Sequence, residues 1–399
     1  MKRSPSRPRL PRAVPALLGF LALAAAAPEA GAQMPGPRHA RGFTLEQVEE
    51  ATLLTVGADR SGASRGGGDT GGGGSGGAGA GGIPSTRYLL VPRGAPVPAV
   101  TGDPTIIRTP VRSVVTLSST YLPALLALGV SDRIVGHDRR AWVYSPEIRQ
   151  RMRSGRIAEV GSGGNLNTER LLALDPEIVL TYDAGTTAEN PYPELADLDL
   201  TVVTTTEFRE ASPLGRSEWI LFLAALFDRE EEARSIFADI EQRYSSLRRR
   251  AAATDERPTV FLNAPWGSTW AMPEGDNYSA AFLADAGADY VFSERSGSGT
   301  LFLDFETVLA TAGGAEYWLN PGQWQSLEDG LDADRRFRLF AAFREGRVYN
   351  NDARVAPAGG NDYFESGYLR ADLVLADLIS IFHPGVLPDH ELYYYRRLD

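Results

Sequence analysis

The chain reads as an α/β protein of two Rossmann-like lobes, each on a central, mainly parallel sheet, bridged by a single long α-helix and preceded by a small N-terminal β extension. Three observations lead there. The run Thr168-Glu169-Arg170-Leu171-Leu172-Ala173-Leu174-Asp175-Pro176, then Glu177-Ile178-Val179-Leu180, returns in altered form as Phe305-Glu306-Thr307-Val308-Leu309-Ala310-Thr311-Ala312-Gly313, then Ala315-Glu316-Tyr317-Trp318-Leu319. Each copy is a short helix opening on Glu that feeds a buried strand, and a unit found twice predicts two similar lobes. Between the copies, Ala233, Ile236, Phe237, Ile240, Tyr244 and Leu247 recur at helical spacing. They mark one helix over Arg229–Ala252, about 35 Å long at ~1.5 Å per residue. On both sides of it strands alternate with helices, the pattern of parallel sheets whose ligand loops lie at the strands' carboxyl ends.

Residues 1–32 stand apart from this fold. Lys2, Arg3, Arg7, Arg9 and Arg12 form a basic region, Ala16 to Ala27 an apolar one, and Ala30-Gly31-Ala32 a small-residue cleavage site, the three parts of a secretory signal peptide. The apolar run, roughly a dozen residues, is far short of the ~20 that span a bilayer. With no cysteine in the 399 residues, neither a disulfide nor a lipid-bearing cysteine is expected. The reading is a soluble periplasmic protein, cleaved near Ala32, with no lipid anchor. Loss of residues 1–32 removes five basic side chains and Glu29, taking the formal charge from −11 to −15. That balance argues against nucleic acid and anionic membrane surfaces as partners.

The extension spans residues 33–107. Half of residues 61–86 are glycine, and such a tract buries too little surface to order itself. It is flanked by the strand-like Ala51–Val56 and Arg87–Pro92, so it reads as the expanded loop of a hairpin; a tether between a tail and the body is the other reading. The first lobe is expected over 108–212. It opens with the strand Ser113–Leu117, followed by the N-cap hydroxyls of Ser118-Ser119-Thr120 and a helix from Tyr121 to Leu128 stopped by Gly129. Strands follow at Arg133–Gly136, Glu177–Tyr182 and Thr201–Thr205. The helical bridge takes 213–256. The second lobe, 257–399, holds strand Thr259–Asn263, helix Ser279–Ala286, the second Glu-helix-strand unit, strand Arg347–Asn350 and a last helix from Glu365 to Phe382.

Ser113–Leu117 with Ser-Ser-Thr-Tyr after it, Gly129-Val130-Ser131-Asp132-Arg133-Ile134-Val135-Gly136, Val160-Gly161 and the run from Asn167 to Leu180 together resemble the class III periplasmic binding proteins. These deliver ferric siderophores, haem or vitamin B12 to ABC importers. The likeness covers about residues 108–384, and Glu169 to Leu180 is its most specific part. The resemblance implies a stiff two-lobed clamp, a monomer without a cofactor of its own. It would be a carrier and not an enzyme, capturing a metal chelate or corrinoid for the membrane subunits of an importer. It also implies that Glu169 and Glu306 dock on arginines of those subunits. The alternative is an ordinary first-turn glutamate favoured by the helix dipole.

Ligand contacts are expected at strand ends: Ser118, Ser119, Thr120 and Tyr121; Trp142 and Tyr144; Trp266, Trp270 and Tyr278; Trp324; and Tyr363 with Phe364. Flat side chains pack on a macrocycle or chelate, and Trp and Tyr add a polar handle. Arg139, Arg140 and Arg354 lie in loops where a guanidinium can pair with a ligand carboxylate; Arg354 is the better candidate, and for Arg139 and Arg140 a surface ion pair is the other reading. Trp219 and Trp318 are assigned to the core. The four histidines, His39, His137, His383 and His390, do not form the site of a free-metal binder. His137 is either an axial ligand to a chelate or a hydrogen-bonded loop residue. Gly161-Ser162-Gly163-Gly164 is neither a nucleophile elbow nor a phosphate loop. The competing class is a secreted enzyme using Asp183, Glu207 or Asp362 as acid or base. A ligand sensor is the third.

Overall fold

The computed structural model describes residues 36–57, 85–162, 165–182 and 192–399. The expected signal peptide, nearly all of the glycine tract, Gly163, Gly164 and Asp183 lie outside the described residues.

The chain enters with a four-stranded sheet in the order β1 (Phe43–Val48), β2 (Ala51–Val56), β3 (Thr86–Pro92) and β4 (Thr105–Thr109). β2 and β3 pair antiparallel, from Thr52 opposite Leu90 to Val56 opposite Thr86, so the glycine tract joins two paired strands, as the hairpin reading expects. β3 is apolar on both faces: Tyr88 and Leu90 enter the main core, while Leu89 and Val91 pack with Ala51 and Leu53 in a second, smaller cluster. Such a strand must be covered on both sides.

The first lobe runs β5 (Val114–Thr116), α1 (Leu122–Ala127), β6 (Ile134–His137), α2 (Pro146–Arg153), β7 (Ala158–Glu159), a small hairpin β8 (Gly161–Ser162) with β9 (Asn165–Leu166), α3 (Thr168–Ala173), β10 (Ile178–Tyr182) and β11 (Val202–Thr205). Its sheet has the order β11-β10-β5-β6-β7, parallel throughout. The Tyr88 hydroxyl accepts from the Thr204 N–H at 2.9 Å and so caps the outer edge of β11. Next come α4 (Pro213–Glu218), the fully buried α5 (Ile220–Phe227) and the 23-residue α6 (Glu230–Ala252). Ala233, Phe237, Ile240 and Tyr244 form the buried stripe of α6, the spacing read from the sequence.

The second lobe runs β12 (Thr259–Leu262), β13 (Trp270–Pro273), α7 (Tyr278–Asp285), β14 (Asp289–Tyr290), β15 (Thr300–Leu303), α8 (Phe305–Ala312), β16 (Tyr317–Leu319), α9 (Leu327–Ala333), α10 (Ala341–Arg344), β17 (Val348–Asn350), α11 (Ser366–Leu369), α12 (Ala371–Phe382) and β18 (Arg396–Arg397). Its sheet order is β14-β12-β16-β17-β18, with only β18 antiparallel. The repeated sequence has the same place in both lobes. α3 and α8 each lead into the strand, β10 or β16, that lies directly beside the lobe's first strand. The last helix differs from expectation: Arg370, at φ −96° and ψ 55°, breaks it into α11 and α12. There the Arg370 guanidinium turns onto Asp372 at 2.9 and 3.0 Å, and Arg243 of α6 joins the same carboxylate at 2.6 Å.

Residues 38–42 form a strap over α4 and α6. The buried Glu218 carboxylate accepts the backbone N–H groups of Arg38, His39 and Ala40 at 2.8, 2.6 and 2.7 Å. Glu210 takes those of Arg41 and Gly42, with the Trp219 indole at 3.0 Å. Glu241 of α6 receives His39 at 2.7 Å and also pairs with Arg38. Gly42 has no room for a side chain, since a Cβ would stand 2.7 Å from the Thr206 hydroxyl. Glu218→Ala leaves three N–H groups without their acceptor and should cost roughly 3 kcal/mol or more. Urea denaturation measures this; an unchanged midpoint would mean the strap is not held here.

Candidate functional site

The carboxyl ends of β12, β16 and β17 are each followed by asparagine: Asn263, Asn320 and Asn351 with its neighbour Asn350. Asn263 and Asn320 sit at φ +63° and +59°, a left-handed conformation that asparagine tolerates better than most side chains. The chain therefore turns sharply at the strand end. Around these turns lies a cleft of about 730 Å³, walled by Ser119 and Trp142 from the first lobe, Arg216 from α4, and Tyr278, Tyr363 and Phe364 from the second. Its rim is rich in amides, with Gln323 and Gln325 beside the three asparagines.

Arg216 is the central cation. Its guanidinium lies 3.5 Å over the Tyr278 ring and 5.2 Å from that of Tyr368. It is held by the carbonyls of Phe208 at 2.6 Å and Glu210 at 3.3 Å. Among the described residues no carboxylate stands within ion-pair distance of it. Backbone carbonyls and ring faces fix the group, and the carboxyl that interacts with it electrostatically, Glu207, is pushed by burial toward its neutral form, which leaves the guanidinium able to receive an anion.

The tyrosines are neutral donors and acceptors. Tyr278, Tyr363 and Tyr395 hydroxyls are hydrogen-bonded in series, and the Asn320 amide reaches Tyr395. Burial pushes the Tyr278 and Tyr363 phenols well above their ordinary range and also raises Tyr368. The Asn320 Oδ1 is buried and has no partner, an acceptor suited to a ligand N–H.

The lobes also touch directly beside the cleft. Glu365, 2% exposed, accepts the N–H groups of Tyr144 and Ser145 at 2.7 and 3.0 Å. Gly360 comes so near that a Cβ there would lie 2.5 Å from the Val143 carbonyl. Burial raises the Glu365 carboxyl to about 7, against the two N–H donors that hold it down. Behind Arg216 and Tyr368, Glu207 is buried against Thr205 and Thr120, and its carboxyl too is raised by burial.

Of the residues expected at the ligand, Ser119, Trp142, Tyr278, Tyr363 and Phe364 come together in the cleft. Several others do not. Trp270 is fully buried, its indole donating to the Leu262 carbonyl at 3.0 Å amid Phe261, Trp318 and Phe340. Trp324, 8% exposed, packs edge-on against Trp318 and at a tilt against Phe337. Tyr121 is buried with its hydroxyl on Thr205 at 2.8 Å, and Thr120 turns to Glu207. The Ser118 side chain caps the turn at Thr120. Trp266 is 89% exposed, away from the cleft lining. Arg354 pairs with Asp362 at 2.7 Å and lies near Tyr144 and Tyr393; its charge is already compensated. Arg139 lies 3.2 Å over Trp142. Trp219 and Trp318 are core residues, as expected. His137 is 1% exposed, bonded to the Thr116 hydroxyl and lowered by burial to about 4, so it stays a neutral structural histidine. Glu169 is exposed on α3, and Glu306, its side chain 74% exposed, pairs with Arg336 at 3.1 Å. Sequence reasoning missed Arg216, Tyr368 and the amides; the asparagine after each of three strands was the available signal.

The family model for periplasmic binding proteins matches residues 114–355. An uncharacterised lipoprotein of Methanocaldococcus jannaschii is 25% identical over 324 residues, 77% of this chain and 75% of the relative. A vitamin B12-binding protein of Photorhabdus laumondii is 26% identical over 153 residues, 37% of this chain and 50% of its own length. Among solved structures, a periplasmic haem-binding protein of Pseudomonas aeruginosa has a TM-score of 0.52 at 19% identity, covering 69% of this chain and 94% of that one. The archaeal relative, a second from the same organism and one from Bacillus subtilis are named lipoproteins. That overturns the expectation of a protein without a lipid anchor. The expectation rests on the absence of cysteine, which bears only on a thioether-linked lipid and not on attachment as such.

Proposed function

This chain belongs to the periplasmic binding protein family, a binding protein and not an enzyme, and on that footing we propose that it captures a corrinoid of the cobalamin type and presents it to an ABC importer. The observation that carries this reading is the chemistry of the cleft wall: flat aromatic faces, a rim of amides, an unpartnered Asn320 Oδ1 and one cation, Arg216, that makes no salt bridge among the described residues. A corrinoid edge carries primary carboxamides that donate and accept at such a rim, and its nucleotide loop carries one phosphodiester for one arginine. One arginine would meet only one of the two propionates of haem and a smaller share of the charge of a ferric tricatecholate. Haem would find no histidine in the cleft, because His137 is buried against Thr116. The vitamin B12-binding relative is consistent with the assignment. In this reading Glu169 and Glu306 are the exposed carboxylates that meet the importer's arginines.

Isothermal titration of the purified protein with cyanocobalamin, haemin and a ferric hydroxamate tests the ligand. Saturable 1:1 binding of cyanocobalamin, with the other two at least tenfold weaker, is the expected result. Preference for either iron compound would overturn the corrinoid reading while leaving the carrier role standing.

A further inference from the structure

β13 and β15 form a two-stranded ribbon whose register places Trp270 opposite Leu303 and Ala271 opposite Phe302. Trp270 and Met272 are fully buried, so the alternate residues point outward. Phe302 is 74% exposed on that outer face. The chain just before β13 folds back, with Trp266 bridging Thr269, and Thr269 has outward parity on the strand. Trp266, 89% exposed, therefore shares the outer face with Phe302. Burying both rings would remove roughly 300–500 Å² of apolar surface from water, and an apolar patch of this kind on a soluble chain marks an interaction site.

The residues flanking Trp266 also line a groove of about 380 Å³ with Asp304, Glu306 and Asp334. One cation faces these three carboxylates: Arg336, 2.7 Å from Asp334 and 3.1 Å from Glu306, with its guanidinium 4.0 Å over Phe305. The groove remains net acidic. The other lobe has the same plan on a smaller scale. The β8–β9 hairpin, two residues per strand, leads into α3, where Leu172 is 46% exposed three residues after Glu169.

We propose that the outer face of the β13–β15 ribbon, with Trp266 and Phe302, is the apolar anchor of a protein-docking surface centred on Glu306, and that it receives the membrane-spanning subunit of the importer. The inference rests on the docking reading of the two glutamates. An acidic groove beside exposed aromatics fits a partner presenting a cationic side chain among apolar ones. Anionic lipid headgroups are repelled by the groove, and a second copy of this chain would bring the same acidic surface to meet it. Because the long ribbon is on one lobe only, the anchor also gives docking a direction.

The test places the photo-crosslinker p-benzoyl-phenylalanine singly at Trp266, Phe302, Leu172 and Ile106 of the full chain expressed in its source cells, with adducts identified by mass spectrometry. Ile106, 48% exposed on β4, reports background. The expected result is that positions 266, 302 and 172 link to a membrane-spanning importer subunit and position 106 does not. If 172 links to it while 266 and 302 link to lipid, to another copy of this chain or to nothing, the anchor is wrong and the docking reading survives. If none of the three finds the importer, both fall. As a second measure, Trp266→Ser with Phe302→Ser should weaken binding to the reconstituted importer roughly tenfold or more with cyanocobalamin affinity unchanged; equal importer affinity would overturn the anchor.

Discussion

Arg216→Gln should weaken cyanocobalamin binding about 30- to 150-fold, with the unfolding midpoint nearly unchanged. The guanidinium is oriented before any ligand arrives, by two backbone carbonyls and the Tyr278 face, so little ordering entropy opposes its use. A hydrogen bond to a charged group in a partly desolvated cleft is worth about 2–3 kcal/mol, which sets the size of the loss. Cobinamide, which lacks the phosphodiester, supplies the control. Wild type and variant should bind it alike, and a similar loss for both compounds would show that Arg216 shapes the cleft and does not meet the phosphate. Arg216→Lys should recover only part of the affinity, because an ammonium cannot keep both carbonyl contacts and the ring contact at once.

The second large effect concerns Glu365 and pH. Its folded pKa, about 7, lies above the ordinary 4.5 because burial outweighs the Tyr144 and Ser145 N–H donors, with Asp362 adding to the rise and Arg149 opposing it. The folded state thus holds this proton more tightly than the unfolded chain does. Stability linked to the group is complete below about pH 4.5 and is lost as pH climbs through about 7, a difference of about 3 kcal/mol at most. Glu365→Gln is neutral throughout and keeps an oxygen for one of the two N–H groups, which go to different carboxylate oxygens, so it should lower stability at every pH and flatten the profile. Glu207 and Asp138, also raised by burial, add to the wild-type slope in the same sense. The informative quantity is therefore the wild-type minus variant difference in urea-unfolding free energy at pH 5 and pH 8. Parallel profiles would refute the assignment.

The α/β pattern was legible because it rests on period. The buried stripe of α6, the runs of β5 and β10 and the repeated Glu-helix unit all carry spacings that survive in a single sequence. β1 and β4 were not legible, since a short strand is defined by the neighbour it pairs with, and β4 runs parallel to β3 after a turn that leaves no periodic trace. The cleft was half legible. Trp266, Trp270 and Trp324 all follow strands, as true ligand contacts do. Their fates were settled by ribbon register and by packing on Phe261 and Phe337. Arg216 was overlooked because it lies in the stretch read as bridge, where the path of α4 past the cleft depends on tertiary packing.

The strap over α4 and α6 has a mechanical consequence. A pull applied at Gly36, as a tether on the N-terminal side would exert, loads the carboxylate contacts at Glu218, Glu241 and Glu210 before it reaches β1. No residue of α6 lines the cleft. Glu218, however, belongs to α4, which carries Arg216, and the Glu210 carbonyl holds that guanidinium, so tension on the strap is shared between the bridging helix and the cation of the cleft, and a taut leash would be felt where the cargo is gripped.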